Sequence, residues 1–573
     1  MIFRVWAPKA AKIAVECNGL VVPMRKESGG WYSAPTKGSA GDDYSYLIDD
    51  QSSTPDPRSR WQPGGIHGRS RVLDHSHFRW NDTDWQAPPL ATGLAYELHV
   101  GTFTPEGTFL STIDRLDHLV NLGVTHVELM PVNEFSGSHG WGYDSVDIFA
   151  PHHCYGEPNH LKQLVGACHT RGLAVIADVV YNHYGPVGNY LERFGPYFTD
   201  RYTTPWGRAV NLDGPASDEV RRFFCDHALM MLKDYHFDGL RLDAVHSIFD
   251  YSAINFMEQL ASEIDALEQE LGRDLILIAE SDLNDPKLIR SPELGGYGLD
   301  AQWNDDFHHA LHTVLTGEAT GYYQDFGTLA SLAKTLQNAW VYDGCYSKFR
   351  DRHHGRSPRG LSGHQFVAFL QNHDQIGNRA KGERSSHLMD TDRLKIAAAM
   401  LLTAPFVPML FQGEEWAASS PFLYFTDHQD PQLGDAVREG RRREFAAFGW
   451  RPEEIPDPQA HETFMRSKLD WSEIAGSPHR EMLDWYRGLV KLRRERISPG
   501  DLRLETATVK YDEKNRWLAY ERGSLEILCN LSDRPMTVGS SARDLLLASK
   551  SGFRVNDGSV AMPPMSIAIA DKR

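Results

Sequence analysis

The chain has 573 residues, of which 41% are hydrophobic and 24% are charged. A chain of this length exceeds one ordinary hydrophobic core, so about two to four domains are expected. The formal net charge of −18 at pH 7 argues against a nucleic-acid partner and against an anionic membrane surface, because both are themselves negatively charged.

The N-terminal sequence MIFRVWAP enters a strand-like pattern at once and lacks the apolar core of a signal peptide. The most apolar run, residues 397–411, contains Pro405 and Pro408 and is too short to span a bilayer. The cysteines are scattered, with no CxxC pair and no zinc-ligand spacing, which favours buried free thiols in a reducing cytoplasm. They are Cys17, Cys154, Cys168, Cys225, Cys345 and Cys529.

The first part of the chain, residues 1–88, contains short strand-like runs with frequent turns, which predicts a small β-sandwich. Residues 83–93 are Pro-rich and aperiodic, as expected of a linker. From residue 94 to about 490, strand-like runs alternate with helical segments, which is typical of an α/β fold with a parallel (β/α)₈ TIM barrel. The eight predicted strands are 94–101, 124–132, 173–180, 239–245, 275–281, 299–304, 366–372 and 406–413.

Other segments complete the predicted architecture. An open doubly wound sheet is disfavoured because no Gly-rich dinucleotide turn follows the first strand. Residues 183–216, rich in Gly, Pro, Tyr and Phe, form an excursion after strand three that is expected to lie over the barrel mouth. A long irregular region is predicted at 413–473 and a final helix at about 479–496. Residues 498–573 are predicted to form a C-terminal β-sandwich.

Polar side chains concentrate where the predicted barrel strands end. In a TIM barrel, functional residues occupy the C-terminal ends of the strands and the loops that follow. Any one of these residues could cap a helix or form a loop salt bridge, but several carboxylates at one mouth favour a functional site. They are Asp178, Asn182 and His183 after strand three, Arg241, Asp243 and His246 at strand four, Glu280 at strand five, and His373 and Asp374 after strand seven.

Carboxylates on the neighbouring strands four and five suit retaining glycoside hydrolysis, which needs two such groups roughly 5–5.5 Å apart. Asp243 shares a strand face with Arg241, whose charge lowers the carboxyl pKa, so we expect an ionised nucleophile. Glu280 follows the apolar run LILIA, where desolvation raises the pKa and keeps the acid protonated. Asp374 can stabilise the oxocarbenium-like charge. His183 and His373 can donate hydrogen bonds to sugar hydroxyls, although a structural role is equally open.

The segments DVVYNH (178–183), GLRLDAVH (239–246), AES (279–281) and QNHD (371–374) resemble the four signature regions of the α-amylase superfamily, glycoside hydrolase family 13. They occur in the order and on the strands of that superfamily. The N-terminal sandwich resembles the early-set module of its glycogen-active and trehalose-forming members. The C-terminal sandwich resembles its usual terminal β-domain.

Further segments, such as 139–158, 303–312, 372–384 and 425–445, resemble the maltooligosyltrehalose trehalohydrolase family within that superfamily. Its members cut the α-1,4 bond next to a terminal trehalose unit and release trehalose. The resemblance implies Asp243 as nucleophile, Glu280 as general acid/base, Asp374 as transition-state stabiliser, and Tyr143 as the ring stacked on the sugar. The residues predicted to contact the trehalose part are His246, Asn304, Asp305, Asp306 and His308, together with the long loop after strand eight. A solvated acidic turn is an equally open interpretation of the segment 304–309.

The resemblance also implies functional coupling to a synthase that makes the trehalose end of the substrate. No cofactor is expected. Many superfamily members bind calcium near the residue that corresponds to Asn182, but no second carboxylate ligand is evident nearby, so no metal is predicted. The pair Glu414 and Glu415 is expected to be structural.

Two other functions remain open at this point. A glycogen branching or debranching enzyme of the same superfamily would use the same three carboxylates. A non-catalytic α-glucan-binding protein would keep the barrel, but we expect such a protein to have replaced at least one of them.

Overall fold

A closed ring of eight parallel strands forms the centre of the structure, a computed structural model that describes residues 2–49, 51–446 and 451–572. Each of the eight predicted strands contains one strand of this barrel, so the predicted (β/α)₈ fold is confirmed. The barrel strands, numbered first to eighth in chain order, are Ala95–Leu98, His126–Leu129, Ala174–Val179, Gly239–Leu242, Ile276–Ala279, Ala301–Trp303, Phe366–Phe369 and Val407–Phe411.

The barrel strands are rich in β-branched and aromatic residues and are buried along their whole length, because helices cover the outer face. Inward-pointing side chains fill the interior, so the barrel is a packed core rather than a pore. This inner cluster includes Ile176, Ile278, Trp303, Phe369 and Met409.

Helices surround the barrel and connect its strands. Several begin at side-chain caps that satisfy free backbone N–H groups; Asn255 caps one helix and Asp390 another. The α-helices are Val100–Phe103, Phe109–Ile113, Leu116–Leu122, Pro158–Thr170, Leu191–Phe194, Ser217–Lys233, Phe256–Leu271, Asp305–Thr316, Leu329–Asn338, His373–Gly377, Ser385–Leu388, Thr391–Thr403, Pro431–Ala446, His461–Arg466 and His479–Arg496.

Antiparallel sheets flank the barrel at both ends of the chain. The N-terminal strands form a three-stranded and a four-stranded sheet, and the C-terminal strands form a five-stranded and a three-stranded sheet. The N-terminal strands are Ile2–Trp6, Ile13–Cys17, Leu20–Pro23, Arg25–Lys26, Trp31–Lys37, Asp43–Ile48 and Ser70–Arg71. The C-terminal strands are Thr508–Asp512, Trp517–Arg522, Leu525–Asn530, Met536–Gly539, Ala542–Ala548, Arg554–Asn556, Ser559–Met562 and Ser566–Lys572.

Three hairpins extend from the barrel. One follows the second barrel strand and pairs Asn133–Phe135 with Ser145–Pro151. The excursion after the third strand contains the pair Phe198–Thr204 and Gly207–Val210. The third hairpin, between the sixth and seventh strands, pairs Asp343–Ser347 with Arg352–Gly355.

The region after the eighth strand is more regular than the predicted irregular segment. It contains the helices Pro431–Ala446 and His461–Arg466. The first of these helices has few apolar residues, so the sequence shows no clear helical spacing of apolar positions. Pro431 at its first position and ion pairs between residues three apart stabilise it. Arg442 Nη1, for example, lies 2.7 Å from Glu439 Oε1. Residues 447–450 of the predicted region lie outside the described residues.

The predicted linker, residues 83–93, is fixed against the end of the barrel opposite the strand C-termini. Trp85 stacks on His169 with ring centroids 4.5 Å apart, and its Nε1 donates to Asp238 at 2.8 Å. The buried Asp238 carboxylate also accepts hydrogen bonds from Val175 N at 2.8 Å and from Arg273 Nη1 at 2.9 Å. One carboxylate therefore joins the linker to the third and fourth strands.

All six cysteines are free thiols, and Cys168, Cys225 and Cys529 are buried. The expectation of burial is wrong for Cys154, which is exposed in the turn after Ser145–Pro151. Among the described residues, no helix has the length and apolar character needed to cross a membrane.

Replacing Asp238 by Ala should destabilise the protein by about 3–5 kcal/mol, because the half-buried Arg273 guanidinium loses its carboxylate and the Val175 N–H and Trp85 indole N–H lose their acceptor. Asp571→Ala is the matched control, since its pair with Arg496 is partly exposed and is expected to contribute less than about 1 kcal/mol. Apparent thermal unfolding midpoints of the two variants are compared with wild type. Equal midpoints for both would contradict the role given to Asp238.

Candidate active site

A cavity of about 460 Å³ opens at the C-terminal ends of the barrel strands. Its walls come from loops after the second, third, fourth, fifth, seventh and eighth strands. Seven of the predicted site residues line it: Tyr143, His183, Asp243, His246, Glu280, His373 and Asp374. Polar groups from separate strands therefore converge on one concave space, as expected of a binding site.

Arg241 lies beneath the cavity floor and is fully buried. Its Nη1 donates to both carboxylate oxygens of Asp178 at 2.8 Å and to Asp243 Oδ1 at 3.1 Å. Its Nη2 lies 3.3 Å from Glu280 Oε2. The guanidinium also stacks 4.1 Å from the ring centre of Trp303. One buried cation therefore contacts three carboxyl groups. The remaining negative charge has to be removed by protonation of a carboxyl group or stabilised by other hydrogen-bond donors.

Asp243 and Glu280 follow directly on neighbouring strands, whose last residues Leu242 and Ala279 are paired. Adjacent strands lie about 4.8 Å apart, so the two carboxyl groups are close neighbours at the mouth. Asn182 Nδ2 donates to Asp243 Oδ2 at 2.7 Å, which stabilises the ionised form.

Glu280 has a different environment from Asp243. Burial, together with the charges of Asp243 and Asp374, raises the pKa of Glu280 to about 8, against the lowering influence of Arg241. One Glu280 oxygen accepts a hydrogen bond from Ala244 N at 2.5 Å. The site thus combines a carboxylate held by donors with a carboxylic acid that is protonated at neutral pH.

Tyr143 and His373 form one wall of the cavity. Their rings stack with centroids 5.0 Å apart at 21°, and the Tyr143 hydroxyl donates to Asp178 Oδ2 at 2.6 Å. His373 Nδ1 lies 2.5 Å from Glu97 Oε1. Burial alone would lower the pKa of His373, but the charges of Glu97 and Asp374 outweigh it and raise the pKa to about 9. His373 is therefore a cationic donor at neutral pH.

The excursion after the third strand covers the other side of the cavity. The turn between its hairpin strands presents Trp206, whose ring stacks on His183 with centroids 4.7 Å apart at 17°. Trp206 lines the cavity and is 49% exposed. Its aromatic face is available to a sugar ring. The sequence prediction placed the excursion over the mouth but did not single out this side chain.

The prediction for the loop after the sixth strand is wrong for three residues. Asn304 caps the helix Asp305–Thr316 and donates to Ala339 O at 3.1 Å. Asp306 accepts hydrogen bonds from Val341 N and Tyr342 N, and His308 Nδ1 contacts Leu370 O at 2.7 Å. All three are buried and bonded to protein groups. Asn304 accepts from a free N–H of the helix N-terminus, Asp306 accepts from the loop at 341–342, and His308 contacts the residue that follows the seventh strand.

Asp305 is only half-buried but does not line the cavity. Burial and the nearby charges of Asp282, Asp306 and Asp374 raise its pKa to about 7. His246 does line the cavity, and its buried Nδ1 has no hydrogen-bond partner among the described residues.

The structure brings further residues to the cavity that the sequence prediction either omitted or gave no catalytic or substrate-binding role. Asp178 accepts from Arg241, Asn182 donates to Asp243, and Glu97 contacts His373, so these residues support side chains at the cavity. Their positions at or near strand ends are the sequence signal that indicates them. Asp282 lines the cavity two residues after Glu280 and accepts from Arg350 Nη2 at 2.9 Å. Arg350 comes from the turn of a distant hairpin, a contact that no sequence spacing indicates.

The pair Glu414 and Glu415 is buried away from the cavity, as predicted. Glu414 Oε1 accepts from Tyr486 OH at 3.0 Å. Glu415 Oε1 accepts from Tyr96 OH at 3.1 Å and lies 2.7 Å from His118 Nε2. Both carboxylates tie the eighth strand's loop to surrounding helices and to the first strand.

Known proteins are similar to this chain in sequence and in architecture. A family model described as alpha amylase, catalytic domain, matches residues 75–202, and a model described as a domain of unknown function matches residues 502–569. A curated malto-oligosyltrehalose trehalohydrolase from Rhizobium sp. (strain M-11) is 47% identical, with 99% of this chain and 97% of the relative covered. The chain belongs to the malto-oligosyltrehalose trehalohydrolase family.

Two further comparisons concern a second trehalohydrolase and a solved structure of the alpha-amylase type. The malto-oligosyltrehalose trehalohydrolase of Arthrobacter ramosus is 50% identical over 94% of each chain. A crystal structure described as a putative alpha amylase from Salmonella typhimurium superposes with a TM-score of 0.92 at 36% identity, covering 100% of this chain and 97% of that chain. The protein is thus a glycoside hydrolase of the alpha-amylase type.

Gly142→Ala should lower kcat/KM of this trehalohydrolase family member by about a hundredfold, because a displacement of roughly 1 Å at a reactive site has that effect. Gly142 has φ +97°, and an added Cβ would lie 2.3 Å from the Pro131 carbonyl oxygen, so the adjacent Tyr143 must shift. Gly440→Ala is the control, because its Cβ would meet nothing within 4 Å. Unchanged kinetics in Gly142→Ala, with normal folding, would contradict the positioning role.

Proposed function

We propose that this protein cleaves the α-1,4 bond next to the terminal trehalose unit of maltooligosyl trehalose, with retention, releasing trehalose and a maltooligosaccharide. The observation that carries the proposal is the pair of carboxyl groups on adjacent strands: Asp243, which accepts hydrogen bonds from Arg241 and Asn182, and Glu280, whose pKa burial raises to about 8. Their strand spacing of about 4.8 Å agrees with the roughly 5–5.5 Å of retaining enzymes. The names of the relatives supply the substrate.

Asp243 is the proposed nucleophile. Its oxygen attacks the anomeric carbon of the maltooligosyl part and forms a covalent glycosyl ester while the bond to trehalose breaks. Hydrogen bonds from Arg241 and Asn182 hold the carboxylate in place before the attack.

Glu280 is the proposed general acid and base. It gives its proton to the glycosidic oxygen as trehalose leaves, and it then takes a proton from the water that hydrolyses the ester. Two inversions at the same carbon restore the α configuration. Asp374, which is 40% exposed in its side chain, contributes negative charge beside the electron-poor ring.

Sugar binding is proposed for the remaining cavity residues. The stacked pair Tyr143 and His373 offers an aromatic face and a cationic donor, and Trp206 offers a second face above His183. Leaving-group recognition belongs next to the acid, because Glu280 protonates the departing oxygen. Asp282 and His246 line the cavity there and replace Asn304, Asp306 and His308 in this role.

The domain limits stay proposals. We infer modules at 1–88, 94–496 and 498–573. The barrel domain is predicted from sequence to end at residue 490, but the helix His479–Arg496 runs past that residue. We also propose a cytoplasmic location, supported by six free thiols, and coupling to a synthase that forms the trehalose end.

The function is tested with maltotriosyl trehalose and, separately, with maltopentaose, with the products resolved by chromatography. Trehalose and maltotriose from the first substrate, with slow or no cleavage of the second, are expected. Equal cleavage of both would reduce the function to a general α-glucan hydrolase. Altered iodine staining of amylose without trehalose release would instead support a branching enzyme.

Asp243→Asn should lower kcat on maltotriosyl trehalose by at least about a thousandfold, because the amide is neither ionised nor nucleophilic. Substrate affinity should remain, since the amide keeps the shape of the carboxylate. Asp544→Asn, on an exposed C-terminal strand, is the matched control and should have wild-type kinetics. If wild type and Asp243→Asn were equally slow, the non-catalytic glucan-binding alternative would be favoured.

The pH dependence follows from Glu280, whose pKa of about 8 marks the loss of the acid form. Because the protonated form is required, kcat/KM should be retained below that pH and fall about tenfold per pH unit above it. Glu280→Gln should lower kcat by about 10²–10⁴-fold and should lack this alkaline limb. A wild-type profile that stays level through this pH would exclude Glu280 as the acid.

A further inference from the structure

A second cluster of reactive side chains lies behind the cavity wall, in the turn after the strand Ser145–Pro151. His152, His153 and Cys154 each present a ligand atom, and these atoms all lie within 4.8 Å of one another. Cys154 Sγ is 3.3 Å from His153 Nε2. A sulfur and a nitrogen at this separation match neighbouring ligands of one tetrahedral ion, for which Zn–S of about 2.3 Å and Zn–N of about 2.0–2.1 Å are usual.

The buried His152 ring provides an independent observation. It is 0% exposed, and its Nδ1 lies 3.5 Å from Glu134 Oε1, whereas its Nε2 makes no hydrogen bond within the described part of the chain. Stacking on Phe135, with ring centroids 3.8 Å apart at 13°, fixes the ring plane. A buried polar atom without a partner is costly in a folded protein, so a bound ligand at Nε2 would satisfy an atom that protein contacts leave unpaired.

Glu134 supplies the carboxylate that usually supports metal-binding imidazoles. Its Oε1 lies 2.8 Å from His153 Nδ1 and 3.5 Å from His152 Nδ1, so the Nε2 atoms of both rings are left to face a ligand. Such a carboxylate sets the tautomer and the orientation of the ligating ring. Glu134 Oε2 also accepts from His153 N at 2.8 Å, which fixes the carboxylate itself.

The charges around Glu134 are compatible with a bound cation. Glu134 is fully buried, and its ion-pair partners among the described residues are His152 and His153. A buried carboxylate requires compensating positive charge. Protonated imidazoles supply this charge when no metal is bound, and a divalent cation held by the two neutral rings and the Cys154 thiolate would replace their protons.

We propose that His152, His153 and Cys154 form a zinc-binding site, oriented by Glu134 and separate from the cavity of the proposed hydrolysis. Two imidazoles and a thiolate are a borderline-soft ligand set that suits Zn²⁺ and excludes Ca²⁺ and Mg²⁺, which prefer oxygen. With three protein ligands, water would complete the tetrahedral coordination. The prediction of no metal from sequence overlooked this site, because contiguous His-His-Cys matches no common zinc spacing.

Binding is measured on tag-free, chelator-treated full-length protein by equilibrium dialysis against Zn²⁺, with the metal counted per chain. About one zinc per chain is expected, competed by Co²⁺ but not by Ca²⁺. The Co²⁺ form should show a near-ultraviolet thiolate-to-metal charge-transfer band. These readouts do not depend on turnover, so failure here leaves the hydrolytic function untouched.

Cys154→Ser should abolish the charge-transfer band and weaken Zn²⁺ binding by about tenfold or more, whereas Glu134→Gln should weaken it by about 10–100-fold and keep the band. Cys17→Ser, which removes a half-buried thiol of the N-terminal sheet, is the matched control and should bind as wild type does. Substoichiometric zinc in wild type, or equal affinity in Cys154→Ser, would overturn the proposal. Because Cys154 is exposed, Cys154→Ser should fold as wild type does, and its circular dichroism spectrum checks this.

Discussion

The buried guanidinium of Arg241 is the group on which the active site depends. It contacts Asp178, Asp243 and Glu280 together, and without it three carboxyl groups would converge at one end of a barrel with no cation between them. Removing one partner from a buried ion pair costs about 3–5 kcal/mol, because the remaining charges stay desolvated. The short strand Gly239–Leu242 therefore sets both the geometry and the charge of the site.

Burial and neighbouring charges, rather than this shared cation, set Glu280 apart from Asp243. Glu280 is largely buried and faces Asp243 and Asp374, so its pKa rises to about 8 although Arg241 lowers it. Asp243 instead accepts hydrogen bonds from Arg241 and Asn182. Different surroundings can thus give two carboxyl groups of one site different roles. In the cavity wall, Glu97 contacts His373 and helps to raise its pKa to about 9. The cavity therefore has a cationic hydrogen-bond donor in addition to the buried Arg241.

Sequence periodicity predicted the barrel because each strand is buried on both faces and is therefore apolar along its length. It predicted Asp243 and Glu280 because strand ends in such a barrel point to one mouth. It failed for Asn304, Asp306 and His308, whose residue types suit sugar binding and helix capping equally. Contacts between distant segments, such as Arg350 with Asp282 and Trp206 with His183, have no counterpart in local spacing.

The hairpin after the second strand links the two sites in space. Phe135 lines the catalytic cavity and also stacks on His152, so one aromatic ring has a surface in each site. Packed interiors transmit small displacements because they contain few voids. A cation that fixes His152 would therefore also restrict Phe135 and the cavity wall that it forms. Binding of a cation at the His-His-Cys turn and binding of a glucan chain in the cavity would therefore both restrict the motion of this hairpin.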